Sequence, residues 1–278
     1  MKTQRILQAF LSLTVALLVL PTRGQTLDVS QIVAESGFHG GLVVLVSDDA
    51  KLAVALGKIP NALVHGLVAD AKSLPSAREA TREAGLYGRV SAMGWDGSSL
   101  PYADGSVNLL ITARNAPLPI QETKRVLAPR GVLWTLGTGK VEYRQPVPGD
   151  VDEWSHARYN ATGNAVSVDK QVGPPRHLQW EALPRWNHGT KTSCLVSANG
   201  RIAYILDDAV FGTSARTWSL IARDANNGIR LWRHELDGWQ GARGGKKSGP
   251  AQVNRRLVAI GDRVYATLGE EYPVSVID

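Results

Sequence analysis

Apolar residues fall into two different rhythms along this chain, and the change comes near its midpoint. Up to about residue 145, short apolar runs alternate with stretches of helical period. Leu42-Val43-Val44-Leu45-Val46 predicts a strand, followed by a helix from about Asp49 to Leu56. Leu63 to Val68 predicts a second strand, leading into a helix from about Lys72 to Ala84 with Asp70 as its N-cap. Arg89 to Ala92, Val107 to Ile111 and Gly131 to Thr135 read as three further strands, and Ile120 to Leu127 as a helix closed by Pro129. Strands that alternate with helices predict a mainly parallel sheet covered on both faces.

Beyond Pro146-Val147-Pro148-Gly149 the helical period disappears. Ile202 to Leu206, Trp218 to Ala222, Arg230 to Trp232, Leu257 to Ile260 and Arg263 to Thr267 are short β-rich runs divided by Gly, Asn and Asp, which predicts an all-β module. A loose repeat runs through it. Gly200-Arg201-Ile202-Ala203-Tyr204 with Leu220 to Asp224 recurs as Asp262-Arg263-Val264-Tyr265-Ala266 with Val274 to Asp278. The offset suits propeller blades, and a propeller needs about four or more blades to close, so the sequence is expected to be part of a longer protein.

Residues 1–24 have the pattern of a secretory signal: Lys2 and Arg5, then an apolar run from Ile6 to Leu20, then Pro21-Thr22-Arg23-Gly24. The run is shorter than the ~20 residues that span a bilayer, so cleavage and export are expected, with no stable membrane span. The boundaries follow as 1–24 for the signal, 25–147 for the α/β domain and 148–278 for the β-rich module.

Charge and composition exclude several classes. The formal charge is +6; without Lys2, Arg5 and Arg23, 28 basic residues face 25 acidic ones, and this small dispersed excess does not predict nucleic-acid binding. Arg243 with Lys246-Lys247, set among glycines, reads as a solvated loop. The single Cys194 excludes an internal disulfide and any multi-Cys metal site. The six histidines are scattered; Asp152, Glu153 and His156 are spaced so that they could share a metal, but in a β context that cluster reads as a turn rather than a metal site. Ser193-Cys194 lacks a neighbouring base. Six of the eight Trp residues lie from Trp154 onward and read as packing residues of the β module.

The first module resembles class I S-adenosylmethionine-dependent methyltransferases over roughly residues 37–137. The likeness is carried by His65-Gly66-Leu67-Val68-Ala69-Asp70, by Trp95-Asp96-Gly97-Ser98-Ser99-Leu100-Pro101-Tyr102-Ala103-Asp104-Gly105-Ser106-Val107-Asn108, and by Arg125-Val126-Leu127-Ala128-Pro129-Arg130-Gly131. The resemblance implies a Rossmann-like fold and an S-adenosylmethionine site formed by Ser47, Asp49, Asp70 and Asp96. This sequence departs from the pattern at the ligand contacts. From Leu42 to Leu56 there is no glycine, whereas the family's cofactor passes bare backbone at that turn. Val68 stands where the family has a ribose-binding carboxylate, a loss of about 1.5–3 kcal/mol per hydrogen bond. The site is therefore expected to be degenerate, with an active methyltransferase as the alternative.

The second module resembles the β-propeller repeats of pyrroloquinoline-quinone (PQQ) type in exported bacterial proteins. Ala222-Arg223-Asp224-Ala225-Asn226-Asn227-Gly228-Ile229-Arg230-Leu231-Trp232 carries the likeness, which implies that Asp224 to Gly228 form a hairpin turn and that Trp232 docks between blades. Asp152 to His156 through Ser167, then Leu178 to Trp180, resembles the family's opening segment. The combined expectation is a binding or assembly platform for an unknown protein or cell-envelope partner. A PQQ-dependent oxidoreductase whose active residues lie beyond residue 278 is the further alternative; no catalytic or metal-binding residue is assigned.

Overall fold

The strand β1 (Gly41–Val46) is buried along nearly its whole length, because its residues are apolar on both sides of the pleat. It lies at the middle of a six-stranded sheet of order β3-β2-β1-β4-β5-β6 in a computed structural model, which describes residues 29–113, 116, 118–174, 178–182, 192–207, 218–236, 239, 253–269 and 272–278. The other strands are β2 (Ala62–Val68), β3 (Val90–Gly94), β4 (Val107–Ala113), β5 (Leu127–Leu136) and β6 (Lys140–Arg144). The first five pair in parallel, and β6 returns antiparallel to β5. This mixed, mostly parallel sheet, with helices on both faces, is a Rossmann-like α/β arrangement. Residues 1–24, expected to form a signal, and the Arg243, Lys246 and Lys247 cluster, expected to be a loop, lie outside the described residues, as do His177 and His188.

Alternating side chains of β1 feed two cores. Val43 and Leu45 pack with Val64, Leu109, Ile111 and Trp134 beneath α1 (Val29–Ser36) and α2 (Ala50–Gly57). Val44 and Val46 pack with Leu67, Leu110 and Leu133 beneath Leu100 and α4 (Ile120–Val126). The helix α3 (Leu74–Glu83) packs against α2 and β3.

Two boundaries differ from the sequence reading. Asp70 does not cap α3. Its Oδ1 accepts from Lys72 N in a turn of its own, and Ser73 is the N-cap, with Pro75 second in the helix, inside the first turn where no amide donor is needed. Pro129 does not end a helix either. It lies inside β5, which starts at Leu127 directly after α4 and carries a register shift between Val107 and Leu109 of its partner. Helix α1 and strand β6 are additions that the apolar pattern did not reveal.

The β-rich module consists of two antiparallel sheets. One has the order β10-β9-β8-β7, from β7 (Thr192–Ala198), β8 (Arg201–Asp207), β9 (Trp218–Asp224) and β10 (Arg230–Leu236). The other is β11 (Leu257–Ile260), β12 (Arg263–Thr267) and β13 (Val274–Ile277). The internal repeat corresponds to β8-β9 and β12-β13, each preceded by a hairpin. Asn199 and Gly200 take φ 51° and 73° in the first of these turns, the positive pair a tight two-residue turn requires. The turns touch: Asn199 Nδ2 donates to Asp262 Oδ1 at 2.5 Å, and Arg201 Nη1 reaches the same oxygen at 3.1 Å.

A single core joins the sheets, with Val196, Ile205, Trp218 and Leu220 facing Leu257, Val264 and the small residues Ala259 and Ala266. Trp232 packs against this core half-buried. The segment before β7 is laced to both sheets. Trp154 N donates to Ser197 Oγ, Ser197 N donates to Trp154 O, and Ala259 N donates to Ser155 O. Asp152 accepts from Glu153 N, Ser167 Oγ and Val168 N, while Glu153 accepts from Asn199 N, so these carboxylates hold backbone in separate places. Among the described residues no group of His, Cys, Asp and Glu could hold a metal.

Candidate functional site

In an open parallel sheet, ligands bind where the loops leave the carboxyl ends of the strands. Here those loops follow Val46, Val68 and Gly94, and they bring Ser47, Asp49, Asp70 and Asp96 to one edge of the sheet. Each of the four side chains accepts a local hydrogen bond. Ser47 Oγ accepts from Asp49 N at 3.1 Å, and Asp49 Oδ1 caps α2 through Leu52 N at 3.0 Å. Asp70 Oδ1 accepts from Lys72 N, and Asp96 Oδ1 accepts from Ser98 N and Ser98 Oγ at 2.9 and 2.6 Å. The Ser98 bonds hold the Asp96 carboxyl below the usual carboxylate range.

Asp48, which the sequence did not single out, is the residue that shapes this edge. Its Oδ1 crosses from the β1 loop to accept from Ala69 N at 2.9 Å and Asp70 N at 3.4 Å, two amides of the β2 loop. A carboxylate of the chain's own thus bonds the backbone directly after Val68, beside the position from which a ribose carboxylate would act. Val68 itself is 2% exposed and contributes to the sheet rather than to the loop. An adenosyl group needs bare backbone at the first loop and an acceptor at the end of β2. Here the first loop has no glycine and Val68 at the end of β2 offers no side-chain acceptor, while the carboxylates of Asp48 and Asp70 stand just beyond it.

The run from Leu100 to Ser106 closes the α4 face as a plug held by Arg125. Its Nη1 donates to Tyr102 O at 2.8 Å and to Asp104 Oδ1 at 2.7 Å; its Nη2 donates to Leu100 O at 3.0 Å and Glu122 Oε1 at 2.6 Å; and its Nε donates to Glu122 Oε2. Glu122 Oε1 also accepts from Leu100 N. Tyr102 Oη and His65 Nδ1 lie 2.7 Å apart, with the rings edge to face, tying the plug to β2. Burial lowers the His65 pKa, so the neutral ring is favoured, and raises that of the Tyr102 hydroxyl.

Arg125 holds the Glu122 carboxyl down at about 2 from an ordinary 4.5. Because the folded value is the lower one, the pair's stabilisation is complete above about pH 4.5 and lost as pH falls towards 2. Thermal melts of the wild type are expected to drop over that window more steeply than those of Glu122→Gln; equal slopes would remove this role from the pair.

The β-rich module docks at the other edge of the parallel sheet, where the strands begin. Asp224 is nearly buried and completes its own turn by accepting from Asn226 N and Asn227 N at 2.8 and 3.1 Å. Its second oxygen accepts from Asn108 Nδ2, at the start of β4, at 2.7 Å. Asn227 Nδ2 donates to Ser106 O and Asn108 Oδ1 at 2.9 and 2.7 Å, and Asn108 Oδ1 also accepts from Leu42 N of β1 at 2.8 Å. Trp180 backs the turn, donating from Nε1 to Ala225 O at 2.9 Å, and its ring lies against Gly228. Asn108 is therefore the hub between modules, a role that sequence reasoning missed because its partners lie 66, 116 and 119 residues away.

No protein-family model matches the sequence, and no curated protein matches it. Among solved structures, the chain is similar to an S-adenosylmethionine-dependent methyltransferase from Aquifex aeolicus at 21% identity, covering 39% of this chain and 62% of that one, with a TM-score of 0.35. It is similar to the [4+2]-cyclase SpnF at 23% identity, over 38% and 42% of the two chains, with a TM-score of 0.35. It is also similar to geranyl diphosphate C-methyltransferase from Streptomyces coelicolor A3(2) at 16% identity, over 38% and 43%, with a TM-score of 0.34. The chain thus spans between 42% and 62% of the length of these structures.

Proposed function

We propose that this chain is an exported two-module protein in which a degenerate methyltransferase-like domain is joined to the first part of a PQQ-like β-propeller, the whole serving as a platform for binding or assembly. The observation that carries the reading is the bond from Asp48 to the amides of Ala69 and Asp70, at the edge where a cofactor would lie. With no glycine from Leu42 to Leu56 and the aliphatic Val68 at the end of β2, this edge keeps a methyltransferase-type scaffold that has lost two of the features a cofactor would use. The docked Asp224 turn supports the platform part. It joins the modules through side chains at the edge opposite those loops, so the β-rich module adds no wall to a cofactor site. Export rests on the sequence of residues 1–24, and among the described residues no helix is long and apolar enough to cross a membrane.

Calorimetric titration with S-adenosylmethionine tests the reading, and no binding heat is expected at micromolar ligand. Micromolar affinity that weakens in Asp96→Ala would overturn it in favour of an active methyltransferase.

A further inference from the structure

A cleft of about 830 Å³ runs between the two modules, with Asn61, Ala62, Leu63 and Arg89 on one wall and the β9–β10 hairpin on the other. Four guanidinium groups line it, from Arg89, Arg223, Arg230 and Arg233, with one carboxylate, Glu235, whose Oε1 lies 3.8 Å from Arg233 Nη2. Two of them are fixed in place. Arg89 donates from Nη2 to Ile59 O at 2.7 Å and from Nε to Ala62 O at 3.3 Å. Arg223 donates from Nη1 to Gly228 O at 2.7 Å and from Nε to Tyr204 Oη at 2.9 Å. Neutral acceptors orient these groups and leave their charge uncompensated. Arg230 is exposed and forms no ion pair among the described residues. A smaller cavity of about 230 Å³ nearby has less surplus, since Asp224 and Asp262 line it with Arg130, Arg144 and Arg201, Asp262 meets Arg201, and Glu153 lies 3.8 Å from Arg130.

The cleft follows β10 along its edge. Successive residues Arg230, Leu231, Trp232 and Arg233 all line it, although alternate residues of a strand point to opposite faces. Among the described strands β10 is the outer one of its sheet, so it presents a row of main-chain donors and acceptors to the cleft. We propose that this cleft takes an extended acidic peptide segment of a partner protein, which adds to β10 as a further strand and sets its carboxylates against the arginines. The inference rests on the platform reading and names its docking site. Main-chain pairing would supply affinity, and the arginines would select the sequence. A second copy of this chain is disfavoured as occupant, because two β10 edges would set Arg230 and Arg233 against one another.

The test uses the mature protein and a fluorescein-labelled peptide of five Glu-Val repeats, read by fluorescence polarisation. Saturable binding is expected, weakened at least tenfold by Arg230→Glu, largely retained in Arg230→Lys, and weakened at least tenfold when alternate peptide nitrogens are methylated. Circular dichroism melts check that each variant is folded; should Arg230→Glu unfold, the methylated peptide and a Lys-Val peptide decide the matter on the wild type alone. No binding, equal binding of the methylated or Lys-Val peptide, or tighter binding of an oligogalacturonate of equal charge would overturn the proposal. Absence of peptide binding together with absence of adenosyl binding removes the cleft only, whereas adenosyl binding removes the platform reading itself.

Discussion

Replacing Asn108 with alanine is expected to separate the two modules thermodynamically while leaving each folded. The substitution removes the acceptor of Leu42 N and Asn227 Nδ2 and the donor to Asp224 Oδ2 at one stroke. Asp224 remains nearly buried, its carboxylate short of one partner. Leaving buried polar groups unpaired costs about 1–3 kcal/mol each, so a loss of about 3 kcal/mol is expected after partial rehydration. Hydrogen exchange would localise it: amides at Leu42 and in the Asp224 turn should exchange at least tenfold faster, with those of Val44 and Ile205 little changed. Unaltered exchange at Leu42 and Asn227 would mean that Asn108 does not carry the docking. The neighbouring Gly41 belongs to the same joint, since a Cβ there would stand 2.1 Å from Asn108 Oδ1.

The second large effect is expected at Gly228. Its φ of +73° lies where side chains are strained, and a Cβ would sit 2.3 Å from the Trp180 ring. Trp180 cannot swing aside cheaply, because its indole nitrogen is bonded to Ala225 O. Strain and overpacking together give about 3 kcal/mol for Gly228→Ala. Differential scanning calorimetry should register the fall, and Trp180→Ala in the same chain should recover part of it by making room. If the double variant is no more stable than Gly228→Ala alone, backbone strain rather than the indole is the cause.

Much of the α/β domain is readable in the sequence because its strands are buried on both faces, so Leu42 to Val46 and Val107 to Ile111 stand out as unbroken apolar runs. The weaker signals belong to elements with one wet side. Strand β6, Lys140–Arg144, alternates between exposed and half-buried positions at the sheet edge and is too short and polar to register. Strand β7 starts in Thr192-Ser193, which reads as loop. The candidate site divides in the same way. The glycine-free loop and Val68 are local facts and can be read directly, whereas the reach of Asp48 to Ala69 and of Asn108 to Asp224 depends on which strands become neighbours. Asp70 illustrates the limit of local reasoning: an acidic residue before a helix predicts a cap, yet the cap falls at Ser73, with Pro75 in the first helical turn.

Because the β-rich module grips the edge where the parallel strands begin, the far rim of that sheet takes no part in joining the two modules. A label, affinity handle or short insertion at 97–98 or 71–72 would meet solvent rather than a neighbour, whereas the same change at 61 or 105–106 would wedge the joint open. That asymmetry offers a practical way to tether the protein to a surface while keeping the intermodular cleft unobstructed.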